Sequence, residues 1–144
     1  MAGVQFDASE LEEFNTDVMN FLKKEYPKEV RNFMQREGNT CARMLRQNTK
    51  MTMEGHGKNP GSLIKGIRRG RAMKRGDDWQ VRVKNSAPHA TFYEKGHVKV
   101  VWGKRTDDFV EGRHPAAYTQ KVMKKLFPKD VDDFVDKILK EGFR

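Results

Sequence analysis

The spacing of apolar residues changes twice along this chain, and that change limits the folds open to it. In the first third, Leu11, Phe14 and Val18 begin a series that recurs at helical intervals. Residues 79–84 read Trp-Gln-Val-Arg-Val-Lys, which alternates apolar and polar side chains with the period of a strand. Helical spacing returns after Pro115. A chain that passes from helix to strand and back predicts an α+β fold with an antiparallel sheet.

Turn and helix-end residues divide the chain into four parts of one domain, residues 1–144. A long N-terminal helix is expected over about 8–50, interrupted at Pro27, which lacks a backbone N–H. Residues 62–102 are expected to form the sheet region, in which residues 75–78 close a hairpin between strands at about 63–74 and 78–84, followed by a third strand at 98–102. Residues 103–113 form an extended arm or loop. Helices follow over 114–141, the first beginning near Pro115 and ending at Pro128.

The charge of the 144-residue chain is concentrated in its middle. The formal net charge is +9, yet residues 1–42 carry 5 basic and 8 acidic side chains, and residues 106–144 carry 8 of each. Residues 43–105 carry 16 basic and 4 acidic side chains. A segment with this excess favours binding to a polyanion or to an acidic protein surface.

The excess is carried by a run that we regard as a candidate patch facing DNA or an acidic partner: Lys65, Arg68, Arg69, Arg71, Lys74 and Arg75. On a hairpin these side chains would project from both faces, with Arg82 and Lys84 opposite the face of Trp79, Val81 and Val83. No aromatic residue lies between 54 and 78, so stacking on single-stranded bases is not indicated. Phosphates of a duplex and an acidic protein remain equal alternatives.

Several function classes find no support in the residues. No run of about 20 apolar residues exists, so no membrane-spanning helix is expected. The N-terminal residues lack the basic start and apolar stretch of a signal peptide. The spacing of His89, His97 and His114 matches no zinc motif. We therefore expect no metal site, no cofactor and no catalytic residues.

Two further chemical candidates have simpler structural interpretations. Cys41 is the only cysteine and lies on the apolar stripe of the first helix, where a thiol acts as a small buried apolar group. Asp77 and Asp78 are typical turn residues, although with Glu94 they could in principle hold a metal near a phosphate. The chain is therefore not expected to be an enzyme.

The order of four short motifs resembles the minor tail protein family of tailed bacteriophages. The motifs are Pro-Gly-Ser-Leu-Ile-Lys-Gly-Ile at 60–67, Val-Arg-Val-Lys-Asn at 81–85, Pro-His-Ala-Thr-Phe-Tyr-Glu-Lys-Gly-His at 88–97, and Phe-Val-Glu-Gly-Arg-His-Pro at 109–115 before a helix. The resemblance covers about residues 60–127. Its most characteristic positions are Phe92, Tyr93, Glu94, Gly96 and His97.

That family includes tail-completion, head–tail joining and tail-terminator proteins. The resemblance implies a structural virion protein that forms a ring, expected to be a hexamer, at the neck or tail. Its implied partners are copies of itself, other neck proteins (connector, adaptor or stopper), the tail tube protein, and double-stranded DNA that passes through the lumen. It implies no membrane partner, a location in the virion, and assembly in the host bacterial cytoplasm.

Within this interpretation the segment from Val98 to Gly112 is the candidate arm that reaches a neighbouring subunit or ring. Exposed aromatic residues flanked by cations are typical of interface hot spots. The candidate contact residues are Val98, Val100, Trp102, Lys104, Arg105, Phe109 and Arg113. Phe92 and Tyr93 could belong either to an interface or to the core. The alternative function is a small basic nucleic-acid-binding protein that acts outside a particle.

Overall fold

Helices and antiparallel strands are interleaved in a computed structural model that describes residues 3–7, 20–52, 61–76 and 78–141. This arrangement confirms the predicted α+β class. The elements in chain order are β1 (Gly3–Asp7), α1 (Pro27–Thr52), α2 (Gly61–Lys65), β2 (Ile67–Arg69), β3 (Met73–Arg75), β4 (Asp78–Asn85), α3 (Ala90–Lys95), β5 (Gly96–Val101), β6 (Lys104–Glu111) and α4 (Pro115–Glu141).

The N-terminal helix is interrupted where the sequence predicted. Residues 20–25 are helical, Tyr26 is not, and α1 begins at Pro27. Proline fits a first helical position because the N–H it lacks would have no partner within the helix. Backbone hydrogen bonds bridge the junction, since the Tyr26 N–H donates to Leu22 O at 2.7 Å and the Val30 N–H donates to Tyr26 O at 3.2 Å. The helix expected over 8–19 lies outside the described residues.

Strand β4 is the centre of the larger sheet and pairs antiparallel with β1, β2 and β3. The predicted hairpin is present, because Arg75 pairs with Asp78 across a turn that includes Gly76. Strand β1, which pairs with β4 over its whole length, was not anticipated.

The strand expected at 63–74 is wrong in part. Its beginning is helix α2, and the remainder is split into β2 and β3, separated by residues 70–72. Gly66, between α2 and β2, permits a close approach to the chain after β4, because a Cβ there would lie 2.7 Å from the Ala87 backbone nitrogen. The buried Asn85 amide also donates a hydrogen bond to Leu63 O at 2.9 Å. The chain at 63–66 therefore crosses the end of β4 and does not pair alongside it.

Strands β5 and β6 form a separate two-stranded sheet. A strand is therefore present near the predicted 98–102, but it does not join the larger sheet, and helix α3 interrupts the sheet region expected over 62–102. The loop expected at 103–113 is wrong, because β6 at residues 104–111 pairs with β5. The sequence of β6, Lys-Arg-Thr-Asp-Asp-Phe-Val-Glu, lacks the usual alternation because nearly all of its side chains are exposed. We call this hairpin, residues 96–111, the arm.

The C-terminal region is one helix, whereas two were predicted. Helix α4 continues through Pro128 to Glu141. A proline inside a helix costs about 3 kcal/mol because it removes a hydrogen bond and crowds the preceding turn. The helix continues because one buried stripe spans the proline on both sides, and each such side chain contributes about 1.5–3 kcal/mol on burial: Met123, Phe127, Val131, Phe134 and Val135.

The core lies between α1, α4 and the inner face of the larger sheet. The Phe33 ring of α1 stacks on Phe134 of α4, with ring centroids 4.5 Å apart. Val81 and Val83 of β4 close the core from the sheet side. Helices cover one face of this sheet, and no described helix covers the other.

Candidate interaction surfaces

Glu94 of the family-like motif caps helix α4. Its side chain is buried, and its two carboxylate oxygens accept hydrogen bonds from the backbone N–H groups of Ala116 at 2.8 Å and Ala117 at 2.9 Å. The first N–H groups of a helix have no acceptor within the helix and form its positive end. A carboxylate satisfies both needs, so Glu94 has a structural role that occupies both of its oxygens.

Gly96 and Gly112 lie side by side where the arm leaves the body of the molecule. Gly96 has φ +88°, and a Cβ on it would collide with the Val110 carbonyl oxygen and lie 2.8 Å from the Gly112 nitrogen. A Cβ on Gly112 would lie 2.6 Å from the Gly96 nitrogen. The arm root is therefore a close backbone contact that only glycine permits.

The remaining motif residues differ in exposure. The Tyr93 hydroxyl shares a hydrogen bond of 2.6 Å with the Thr52 hydroxyl at the end of α1. Phe92 is 55% exposed, and its ring centroid lies 5.6 Å from that of the exposed His97. Of the two alternatives for Phe92, the structure excludes the core. The motif mainly joins α3, the arm and α4, and its exposed part is Phe92 with His97.

The outer face of the larger sheet is strongly basic. Along β4, Val81 and Val83 are buried, whereas Arg82 and Lys84 are exposed, as predicted. Arg68 lies opposite Lys84 in the register. A shallow depression of about 200 Å³ lies on this face. Cationic residues predominate in its described lining, and none of the lining residues is acidic: Gly70, Arg71, Met73, Arg75, Gln80, Arg82 and Lys84.

The predicted basic patch is not one surface. Arg68, Arg71 and Arg75 are exposed, and Lys65 is exposed at the end of α2.

Lys74 pairs with Trp79 and so projects from the other side of the sheet. Arg69 pairs with Val83, its side-chain stem lies against Gly38, and its Nη1 is buried without a hydrogen-bond partner. Arg82 and Lys84 join the outer face in place of Arg69 and Lys74.

The carboxylate at the start of β4 forms an ion pair with the helical residues before α1. The ammonium of Lys23, itself only 6% exposed, lies 3.1 Å from Asp78 Oδ1. This ion pair attaches the helical residues 20–25 to the sheet. Among the described residues that line the depression, none carries a carboxylate.

The arm carries the predicted contact residues on a projecting hairpin. Val98 is half-buried, and the others on the arm are exposed: Val100, Trp102, Lys104, Arg105 and Phe109. Arg113 is also exposed, but it lies after the end of the arm. Val98 pairs with Phe109, and Val100 pairs with Arg105 after a bulge. An isolated two-stranded hairpin with little buried surface is marginally stable. Its exposed apolar side chains therefore suit a surface that another molecule covers.

Trp102 forms the tip of the arm. It is 97% exposed, and it has φ +52° beside Gly103 with φ +75°. Two positive φ values in a two-residue loop define a type I′ turn, in which asparagine and glycine are preferred. A bulky side chain at such a position is an outlier that local folding does not explain.

One groove was not anticipated from the sequence. It lies between the end of α1 and the start of α4, has a volume of about 530 Å³, and follows directly on the arm root. Its described lining combines apolar and cationic side chains: Asn48, Met51, Thr52, Arg113, His114, Ala117, Tyr118 and Lys121. Residues from two distant parts of the chain, 48–52 and 113–121, form it, so no local pattern in the sequence marks it.

The sequence offered Cys41 and a possible metal cluster as candidate chemical groups. Cys41 is fully buried, as predicted, and burial raises the pKa of its thiol to about 12, so the thiolate is scarce at neutral pH. Within the described ranges, no three His, Cys, Asp or Glu side chains lie close enough to hold a metal ion. Among the same residues, no helix is long and apolar enough to span a bilayer.

Comparisons of the chain with protein-family models, with curated proteins and with solved structures found no significant match. The functional interpretation therefore depends on the surfaces described above: the basic outer face of the sheet, the arm, and the groove at the arm root.

Proposed function

We propose that this chain is a structural virion protein of a phage neck or tail, without catalytic activity. It forms a ring, expected to contain six copies, that completes the tail end and joins it to the head connector. Double-stranded DNA passes through the lumen. The observation that carries the proposal is the arm, a hairpin that projects from a packed body with Trp102 and Phe109 exposed.

The basic middle of the chain supports this function. Residues 43–105 hold the excess of basic side chains, and the outer face of the sheet gathers Arg71, Arg75, Arg82 and Lys84 in one depression. Such a face attracts phosphates without reading bases. In a ring, this face suits either the channel or an acidic neighbour.

The proposed partners are copies of the chain, the connector-side neck proteins and the tail tube protein. The packed core between α1 and α4 provides a rigid body, and the arm provides a contact that extends beyond it. Assembly in the host cytoplasm and residence in the virion follow from this function.

Shortening the arm tests the proposal. Because Val98 and Phe109 are paired, replacing Lys99–Asp108 with an Asn-Gly turn should give a short hairpin and leave the body folded. We expect the shortened chain to accumulate normally while heads and tails fail to join. The control substitutes Lys124 and Lys125, exposed on α4, with Ala. Normal infectious particles from the shortened chain would contradict the proposal, as would absence of the wild-type chain from purified virions.

The basic outer face favours one alternative, a nucleic-acid-binding protein that acts outside a particle. This alternative predicts that monomers bind duplex DNA tightly, with an affinity that falls steeply as salt rises. Substituting Arg71→Glu and Arg75→Glu should then abolish binding, whereas Lys124→Glu and Lys125→Glu, with the same change of charge, should weaken it less. Assembly without such monomer binding favours the virion protein.

A further inference from the structure

We infer that Trp102 at the arm tip of one copy inserts into the groove between α1 and α4 of the next copy. This inference rests on the proposed function and names its subunit contact. The occupant of the groove is thus a second copy of this chain. Four observations support it: the conformation of the arm tip, the chemistry of the groove, the distance between them, and the exposure of both.

The arm tip presents an indole on a backbone that forms a tight turn. Trp102 occupies the first place of a type I′ turn, and Val101 pairs with Lys104 on either side of it. The backbone at the tip is thus held by the turn and by pairing. A tryptophan has only two side-chain torsions to order on binding, and it is among the side chains enriched in interface hot spots.

The groove offers the groups that an indole prefers. Met51 is 65% exposed and Tyr118 is 57% exposed at its walls, and Arg113 and Lys121 complete its lining. A thioether packs against aromatic edges, and a phenol packs against an indole. Cations are attracted to the negative face of an indole ring. The groove is therefore complementary to tryptophan in both its apolar and its electrostatic character.

Within one copy, the length of the arm separates Trp102 from the groove at the arm root. Arg113 and His114 of the groove follow the arm root at Gly112. Trp102 lies six residues beyond Gly96, about 20 Å at 3.3 Å per residue. Its 97% exposure shows that it does not enter its own groove. Insertion must therefore join different molecules.

In a head-to-tail arrangement the contact is heterologous, because each copy offers its tip to one neighbour and its groove to another. Assembly then continues until the rotation between neighbours closes a ring. A reciprocal exchange, in which each of two copies inserts its tip into the groove of the other, would instead stop at a dimer. This inference therefore links the geometry of one subunit to ring formation.

The first experiment separates folding from association. Trp102→Asn places the preferred Asn-Gly pair in the type I′ turn, so the arm should fold at least as well. We expect association measured by sedimentation to weaken by about thirtyfold or more, the loss typical of a hot-spot residue. The paired variant Met51→Ala with Tyr118→Ala should give the same loss. The control Phe21→Ala, at an exposed aromatic elsewhere, should not.

Mixing the two defective chains tests whether the tip of one copy meets the groove of another. The groove variant retains its tip and the Trp102→Asn chain retains its groove, so an equal mixture should form dimers and no larger species. A second test uses Lys104→Cys with Lys121→Cys, since the native Cys41 is buried. Oxidation should give a ladder of covalent multimers, and neither single variant should do so.

Three results would overturn the inference. One is undiminished association of the Trp102→Asn chain. Another is covalent dimers from Lys104→Cys alone, which would place two tips together. The third is a wild-type chain that stays monomeric at every concentration tested. In each case, presence of the chain in virions would leave the proposed function standing, and absence from virions would end both.

Discussion

Glu37 is a carboxyl group buried between α1 and α4. It is 5% exposed, and its Oε2 has no hydrogen-bond partner. Burial raises the pKa of Glu37 to about 8, assisted by a hydrogen bond to the Asp130 side chain and by the negative charge of Asp130, while Arg36 acts in the opposite direction. The folded protein therefore holds this proton through much of the neutral range.

The Glu37 proton makes stability depend on pH. The pKa of Glu37 in the folded state lies above the ordinary value of 4.5. The contribution of the protonated carboxyl to the free energy of unfolding is therefore complete below pH 4.5 and is lost as the pH rises through about 8. We expect the free energy of unfolding to fall between pH 5 and pH 8, by at most about 1.4 kcal/mol per pH unit. Urea denaturation across this range measures it. Glu37→Gln should flatten the profile, whereas parallel profiles for the two proteins would contradict the assignment.

Glu94 permits a second prediction at the same scale. Glu94→Ala removes two charge-assisted hydrogen bonds and leaves two N–H groups at the start of α4 without their acceptor. We expect a loss of about 1–2 kcal/mol in the free energy of unfolding. Chemical denaturation measures it, with the exposed Glu111→Ala as the matched control. Equal effects of the two substitutions would show that the cap contributes nothing.

At the scale of elements, the arm has a glycine at its root, Gly96, and a glycine at its tip, Gly103, and their surroundings differ. Gly96 and Gly103 both have positive φ, but only Gly96 has backbone atoms where a Cβ would lie. Gly103→Ala should cost about 1–2 kcal/mol locally, from the backbone conformation alone. Gly96→Ala should cost clearly more and should also disturb α3. Hydrogen exchange of amides in β5 and β6 measures both, and similar protection in the two variants would contradict the packing at the root.

Local patterns predicted some elements and missed others for physical reasons. The stripe of α1 and the alternation of β4 each reflect a single buried face, so spacing alone predicted them. Strand β6 has no buried face, and no alternation could mark it. The run of α4 through Pro128 depends on contacts with α1, which are distant in sequence.

The candidate sites show the same division. Trp102 and Phe109 were predicted as contact residues because exposed aromatics beside cations are distinctive, and both are exposed. The groove could not be predicted, because the end of α1 meets residues 113–121 only in the folded chain. The basic patch was predicted as a run, but pairing turned Arg69 and Lys74 away from the outer face.

At the scale of the whole molecule, one core holds the helices and the sheet together. Phe33 stacks on Phe134 and faces Phe127, with ring centroids 6.1 Å apart in the second pair. Phe33→Ala should therefore lower the free energy of unfolding by about 3–5 kcal/mol, a large share of the 5–15 kcal/mol typical of a domain. Calorimetry or denaturant titration measures this, and Phe109→Ala on the exposed arm is the control. A small effect of Phe33→Ala would mean that α1 and α4 do not share one core.

The adjacency of Gly96 and Gly112 has a consequence for engineering and for divergence. Because the chain enters and leaves the arm at neighbouring points, the hairpin between them can be lengthened, shortened or changed in sequence. The backbone of the rest of the molecule then keeps its conformation. The hairpin is therefore a natural insertion point for an epitope or a fluorescent label. The same separation lets mutation change the surface of the arm without changing the core that keeps the chain folded.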